Sequence, residues 1–404
     1  MKLLAESSRE DVLEEEGLVS RAKAVEVLHF PEDGAAVKEA LERIHFEEMY
    51  NVQINALEQK REWQGERQER LKIPMDAELI KAFFSSLNFT PTDGQKISIY
   101  EILKDMEQDQ SMTRLLEGDV GSGKTLVATA VIANVIRSGG QCALMVPTEV
   151  LARQHCASIG KTLIAFHKYL EEHESENLPQ MHHPSVALLS GSLKKSEADE
   201  VRQKLATGTV DLVIGTHALI QDSVQFADLK LVVVDEQHRF GVQQRQLLKD
   251  KGNPHFLSMT ATPIPRTLAL TAYGHHDLSV LTEKPGNRQP IDTKVVPPSG
   301  RKTVELFIDK QIEEGRQVFV ICPLIKESES EDFVEIKNVE AETVRLKEGF
   351  PNRRILQLHG KMSGQEKEQI MSDFKSKKAD ILVSTSVIEV GIDVPNATII
   401  CMEG

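Results

Sequence analysis

Gly118-Asp119-Val120-Gly121-Ser122-Gly123-Lys124-Thr125 matches the pattern G-x-x-x-x-G-K-[ST], the spacing of a phosphate cradle. Gly118, Gly121 and Gly123, with Ser122 between them, let backbone N–H groups curl around phosphate oxygens. The start of the following helix adds positive potential. Lys124 can reach the β- and γ-phosphates, and the Thr125 hydroxyl can ligate Mg²⁺, so ATP and Mg²⁺ are the expected cofactors. Apolar Leu115-Leu116 precedes the loop and the helix-forming run Leu126–Val135 follows it, the context such a loop needs.

A second cluster, Asp235-Glu236-Gln237-His238, ends the apolar run Leu231-Val232-Val233-Val234. Carboxylates at the C-terminal tip of a strand beside a phosphate loop suit a nucleotide-bound metal. Asp235 is expected to hold the water shell of Mg²⁺ and Glu236 to orient the attacking water, with His238 in the same catalytic set as Lys124, Asp235 and Glu236.

With Ser258-Met259-Thr260-Ala261-Thr262-Pro263-Ile264-Pro265-Arg266-Thr267, these motifs resemble the motor core of superfamily two helicases. DEQHRFGVQ from Asp235, TATPIPRTLALTAYG from Thr260 and the Pro285–Pro290 stretch are similar to bacterial ATP-dependent helicases that act on branched DNA. Motors of transcription-repair coupling factors share RFGV and TATPIPRT but differ after them. The same segments disfavour an RNA helicase. A non-catalytic ATP- and DNA-binding module is the alternative of a different class.

The resemblance implies roles residue by residue. Phe89, Thr92 and Gln95 look like an adenine-reading element, with Gln95 paired to the base. Pro147, Thr148 and Arg153, with Thr216 and His217, resemble the strand-gripping motifs of a first motor domain. Threonine hydroxyls and helix-start amides bind phosphates without net positive charge. Thr260, Thr262 and Arg266 look like the coupling segment. In the second unit, Leu358-His359-Gly360 is similar to the family's LHG segment. Thr385 and Ser386 are suited to DNA phosphates there, and Gly391 and Asp393 to the ATP cleft. The family's arginine-rich final motif and its N-terminal wedge domain have no counterpart here, so the chain reads as a fragment that binds Mg²⁺-ATP but turns it over slowly. Branched or duplex DNA is the implied partner, single-strand-binding protein a candidate one, and a monomer the expected state.

The elements that must hold these residues follow from pattern. From Ala77 short β-branched runs alternate with amphipathic helices: Arg114–Leu116, Cys142–Val146, Val186–Leu189, Leu212–Ile214, Leu231–Val234 and Phe256–Met259, with Leu126–Ile136, Val150–Ile159 and Lys194–Leu205 among the helices. Such continuous runs signal a parallel sheet buried on both faces. Glu283–Pro290 reads as a linker, after which Lys294–Val296, Val318–Ile321, Ile355–Leu358, Ile381–Val383 and Thr398–Cys401 restart the alternation. The expected fold is α/β: two tandem RecA-like parallel-sheet domains after an N-terminal helical segment, with the second domain incomplete. The boundaries fall at 1–76, 77–284 and 291–404. Lys161–Pro184, with His167, His173, His182 and His183, and acidic Lys326–Lys337 read as surface insertions.

The 404 residues carry 48 Lys and Arg against 62 Asp and Glu, a net charge of −14, which argues against a surface coated with positive charge for nucleic acid and leaves room for a local grip. The first 75 residues hold 17 acids and 11 bases, a solvated face. Hydrophobic residues at 40% and charged residues at 27% exclude a largely disordered chain. No apolar run spans a membrane, and Cys142, Cys156, Cys322 and Cys401 form no pair-like spacing, so a cytoplasmic setting is expected.

Overall fold

The computed structural model describes residues 10–31, 33–64, 71–173, 180–236, 247–248, 251–261, 276–283, 291–322, 331–359, 362–385 and 394–402. The chain divides into two compact units, Met1–Gly286 and Asn287–Gly404.

The first unit opens with helices α1 (Glu10–Glu15), α2 (Arg21–His29) and α3 (Gly34–Gln64). Ser20 caps α2 by accepting from the N–H of Lys23. Ala24, Val27 and Ala40 bury the α2–α3 seam, with Val37 and Ile44 packed against it. The polar end of α3 is anchored, because Lys60 donates to both oxygens of Asp277 at 2.8 Å.

A core of α4 (Ala77–Ser86), α5 (Asp93–Met106), β1 (Thr113–Gly118), α6 (Lys124–Arg137), β2 (Gln141–Met145), α7 (Glu149–Glu172), β3 (Val186–Leu189), α8 (Lys195–Ala206), β4 (Leu212–Gly215), β5 (Leu229–Asp235), β6 (His255–Thr260) and β7 (Asp277–Leu281) follows. Its seven-stranded sheet runs β3-β4-β2-β5-β6-β1-β7, and every pairing is parallel. β1, β2 and β4 are buried at every position, because helices cover both faces. α6 is buried from Val127 to Ile136, which explains its lack of a polar stripe.

The first half of the expected surface insertion is helix. α7 continues to Glu172, and Leu163, Phe166 and Leu170 repeat at helical spacing and are buried. Phe166 meets Phe83 edge-on at 5.2 Å between ring centroids, both rings fully buried. His167 is buried and His182 bonds Asp211 at 2.8 Å. Among the described residues no three His, Cys, Asp or Glu gather as a metal site. Phe166→Ala should therefore lower the stability of this unit by about 3–5 kcal/mol, the cost of emptying a packed aromatic site. Urea unfolding measures it, and a change below about 1 kcal/mol would contradict the core assignment.

His255 fastens the N-terminal segment to the sheet. Its ring is fully buried, Nδ1 accepts the N–H of Met112 at 3.0 Å, and Nε2 donates to the carbonyl of Leu71 at 2.6 Å. Both bonds suit the neutral ring, and burial pushes the pKa down to about 4, against a pull upward from the Leu71 carbonyl. A depressed histidine costs nothing above its unfolded pKa of about 6.5. Below that the unfolded chain binds the proton first, so stability falls with pH until about 4. Between pH 7.5 and 5 this chain should lose about 2 kcal/mol more than His255→Gln. Equal pH dependence in the two would remove His255 from that role.

The second unit holds α9 (Arg301–Glu313), β8 (Gln317–Ile321), α10 (Glu331–Gly349), β9 (Ile355–Leu358), α11 (Gly364–Lys375), β10 (Ile381–Ser384) and β11 (Ala397–Met402). The strands form a parallel sheet in the order β11-β8-β10-β9. The expected strand Lys294–Val296 forms no strand, and Val295 is 98% exposed. The stretch has a β-branched pair, but two prolines follow at 297 and 298. The acidic stretch expected as an insertion is helical from Glu331 on.

Candidate active site

Parallel pairing brings the two chemical clusters to one edge of the first sheet. β6 lies between β1 and β5, with Met259 opposite both Leu116 and Asp235. The C-terminal tips of β1 and β5 are thus about 10 Å apart, two strand spacings.

β1 ends at buried Gly118, and the loop turns through Gly121 and Gly123 at φ +81° and +91° before α6 begins at Lys124. Left-handed glycines so placed point successive N–H groups into a concavity that accepts an anion. Gly123 also has no room for a side chain, since a Cβ would lie 2.2 Å from Gln95 Nε2.

Lys124 Nζ donates to the carbonyls of Gly118 at 2.6 Å and Asp119 at 3.2 Å. Burial holds its pKa below the usual lysine value, while the carboxylates of Asp235, Glu236 and Asp119 pull it back up. A half-desolvated ammonium bonded to neutral carbonyls is well placed to move onto phosphate oxygens. The loop, the lysine and the Thr125–Asp235 oxygen donors therefore suit Mg²⁺ with a nucleoside triphosphate.

Asp235 is mostly buried at the end of β5. Its Oδ1 accepts the N–H of Glu236 at 3.1 Å, and its Oδ2 meets Nε2 of His155 at 3.1 Å. Glu236 is buried at φ +52°, a left-handed conformation that costs a non-glycine residue about 1 kcal/mol or more. Backbone strain kept at a carboxylate beside a phosphate loop is the kind found at catalytic centres.

Gln95 is 2% exposed. Its Oε1 accepts the N–H of Thr92 at 2.9 Å in a capping box, and its Nε2 donates to the Ser122 carbonyl at 2.8 Å. The structure thus makes Gln95 a strut between the start of α5 and the phosphate loop, while Phe89 stands 52% exposed nearby in the chain.

The other expected residues group differently. Thr148 caps α7 by accepting from the Leu151 N–H at 3.4 Å and is exposed, as are Arg153 and His217, with Pro147 and Thr216 half-buried. Thr260 is buried opposite Glu117 at the end of β6. Thr385 is buried just past β10, next to Ser384, whose hydroxyl donates to the Thr385 carbonyl. His238, Thr262, Arg266, Ser386, Gly391 and Asp393 lie outside the described residues.

Three residues that the sequence reading gave no role in the site organise its surroundings. Glu149 accepts from Ser190 at 2.8 Å and from Ser192 and Arg153, fixing the start of α7 to the loop after β3. Arg153 also donates to Ser192 at 3.1 Å. Burial raises the pKa of Glu149, but the donors outweigh it and hold it below the usual value. A carboxylate one residue past the Thr148 cap, four before an arginine, is the signal that marks it.

Known proteins bear on the same residues. The DEAD/DEAH box helicase family matches residues 92–271, and the helicase conserved C-terminal domain matches 301–404. ATP-dependent DNA helicase RecG of Streptococcus pneumoniae is 45% identical over 402 residues, covering 98% of this chain and 56% of its own length. Over nearly its whole length the chain is similar to RecG helicases. RecG of Thermotoga maritima is 40% identical over 99% of this chain and 49% of its own. A solved RecG bound to a three-way DNA junction is 36% identical, with a TM-score of 0.75 over 98% of this chain and 50% of that one. The chain thus spans about half the length of these RecG relatives. The two sheets are RecA-like, as in RecG, and the family uses ATP. Among the described residues no helix is long and apolar enough to cross a membrane.

Proposed function

We propose that this chain is the motor part of a RecG-type, ATP-dependent DNA helicase that remodels branched DNA such as stalled forks and Holliday junctions. The observation that carries the reading is the shared sheet edge, where Lys124 and Thr125 face Asp235 and Glu236 across one strand. RecG relatives and a RecG structure on a three-way junction support the DNA substrate.

In this reading residues 77–284 form the nucleotide-holding motor domain, 291–404 the second one, and 1–76 a helical linker. Mg²⁺, when bound, offsets the charge of the phosphates. Thr125 and Asp235 hold it, and the loop amides from Gly121 to Lys124 cradle the phosphates. Lys124 leaves the Gly118 and Asp119 carbonyls for phosphate oxygens. Glu236 orients water for attack from a buried position at the end of β5. Thr148, Arg153, Thr216 and His217 grip the DNA backbone in the first domain, and Thr385 and Ser386 in the second. The chain works as a cytoplasmic monomer.

Steady-state phosphate release from ATP, with three-way-junction DNA, linear duplex or single-stranded RNA, tests this. Release should be slow, with junction and linear duplex alike supporting it at least as well as RNA does. Stimulation by RNA above DNA, or none by any nucleic acid together with no ATP binding, would overturn the reading.

A further inference from the structure

α7 carries a link to the metal site that none of the expected roles uses. His155 sits in its second turn, about 10 Å along the axis from the Thr148 cap. Its ring is 12% exposed and its Nε2 lies 3.1 Å from Oδ2 of Asp235, eighty positions later in the chain. The contact follows from topology: β2, which leads into α7, pairs with β5 so that Met145 lies opposite Val234. The first turns of α7 therefore pass beside the tip of β5. An ionised carboxylate has no hydrogen to give, so the shared hydrogen belongs to Nε2 in either charge state of the ring. Asp235 is then fixed at both oxygens, by its neighbour's backbone N–H at Oδ1 and by His155 at Oδ2. The same two turns of helix hold Glu149 and Arg153, which tie α7 to Ser190 and Ser192.

Resting on the nucleotide-site reading above, we propose that His155 is a positioning residue for the metal-binding carboxylate. It donates to Asp235 and sets the rotamer in which Asp235 meets Mg²⁺, and it fastens that carboxylate to the helix that begins at Thr148. A bond from a neighbouring side chain to a metal-binding group is worth roughly 10–100-fold in metal affinity.

The test is a titration of Mg²⁺ at fixed ATP analogue, following bound nucleotide, in the 404-residue chain and in His155→Ala and His155→Gln. Gln places an amide N–H close to where Nε2 stands and accepts no ring stacking. The Mg²⁺ concentration for half-saturation should rise at least about tenfold in His155→Ala. It should return to within about threefold of the unsubstituted chain in His155→Gln. Nucleotide affinity in EDTA should be the same in all three. Equal Mg²⁺ dependence in His155→Ala and the unsubstituted chain would overturn the proposal, as would equal loss in both variants, which marks packing of the ring. If the unsubstituted chain shows no Mg²⁺-dependent binding at all, the nucleotide site itself is misassigned, and His155 with it.

Discussion

Glu236→Gln should bind Mg²⁺-ATP as tightly as the unsubstituted chain and hydrolyse it roughly 10²–10⁴-fold more slowly, the usual contribution of a positioned general base. Binding survives because Lys124, Thr125 and Asp235 are untouched, and Asp235 keeps its bonds to the residue 236 N–H and to His155. Glutamine also tolerates the backbone of position 236 at a cost like that of glutamate, since neither is glycine. What disappears is the carboxylate that orients water. Single-turnover hydrolysis alongside an equilibrium titration separates the two steps. Equal single-turnover rates would take Glu236 out of the chemistry.

Lys124→Ala should weaken nucleotide binding by roughly tenfold to hundredfold, because a charge-assisted contact to phosphate is worth about 1.5–3 kcal/mol. The fold should hold, because the side chain bonds only two loop carbonyls that water can reach at the Asp119 side. An unchanged melting transition with lost binding is the expected pair of results. Unchanged affinity would mean that the loop amides alone carry the phosphates.

The phosphate loop and the Asp235-Glu236 pair were legible because local spacing alone defines them. Most strands were legible for a related reason: a parallel strand covered on both faces needs a continuous apolar run, as in Leu231–Val234. β7 escaped notice because Asp277–Leu281 is a short edge strand with polar residues at alternate positions. The continuation of α7 was hidden by its histidines and lysines, although Leu163, Phe166 and Leu170 kept the helical period. Val295 and Val296 misled in the opposite direction, since β-branched residues make a strand only where a neighbour can pair with it.

Long-range polar contacts were not legible at all. His155 and Asp235, Lys60 and Asp277, and His255 with Leu71 are brought together by strand order, which no local pattern encodes. Gln95 shows the same limit from another side. Its spacing from Thr92 marks a capping box as well as it suits an adenine reader, and only the fold shows its bond to the Ser122 carbonyl.

The measurement closest to the central claim is a titration of this chain with a slowly hydrolysed Mg²⁺-ATP analogue, with and without a three-way DNA junction. A motor of this family should bind one nucleotide saturably. The junction should tighten that binding, and the nucleotide should tighten junction binding by the same factor, as linkage requires. Saturable binding with reciprocal tightening is the expected result. No saturable binding, or binding that the junction leaves unchanged, would contradict a DNA motor built on this site.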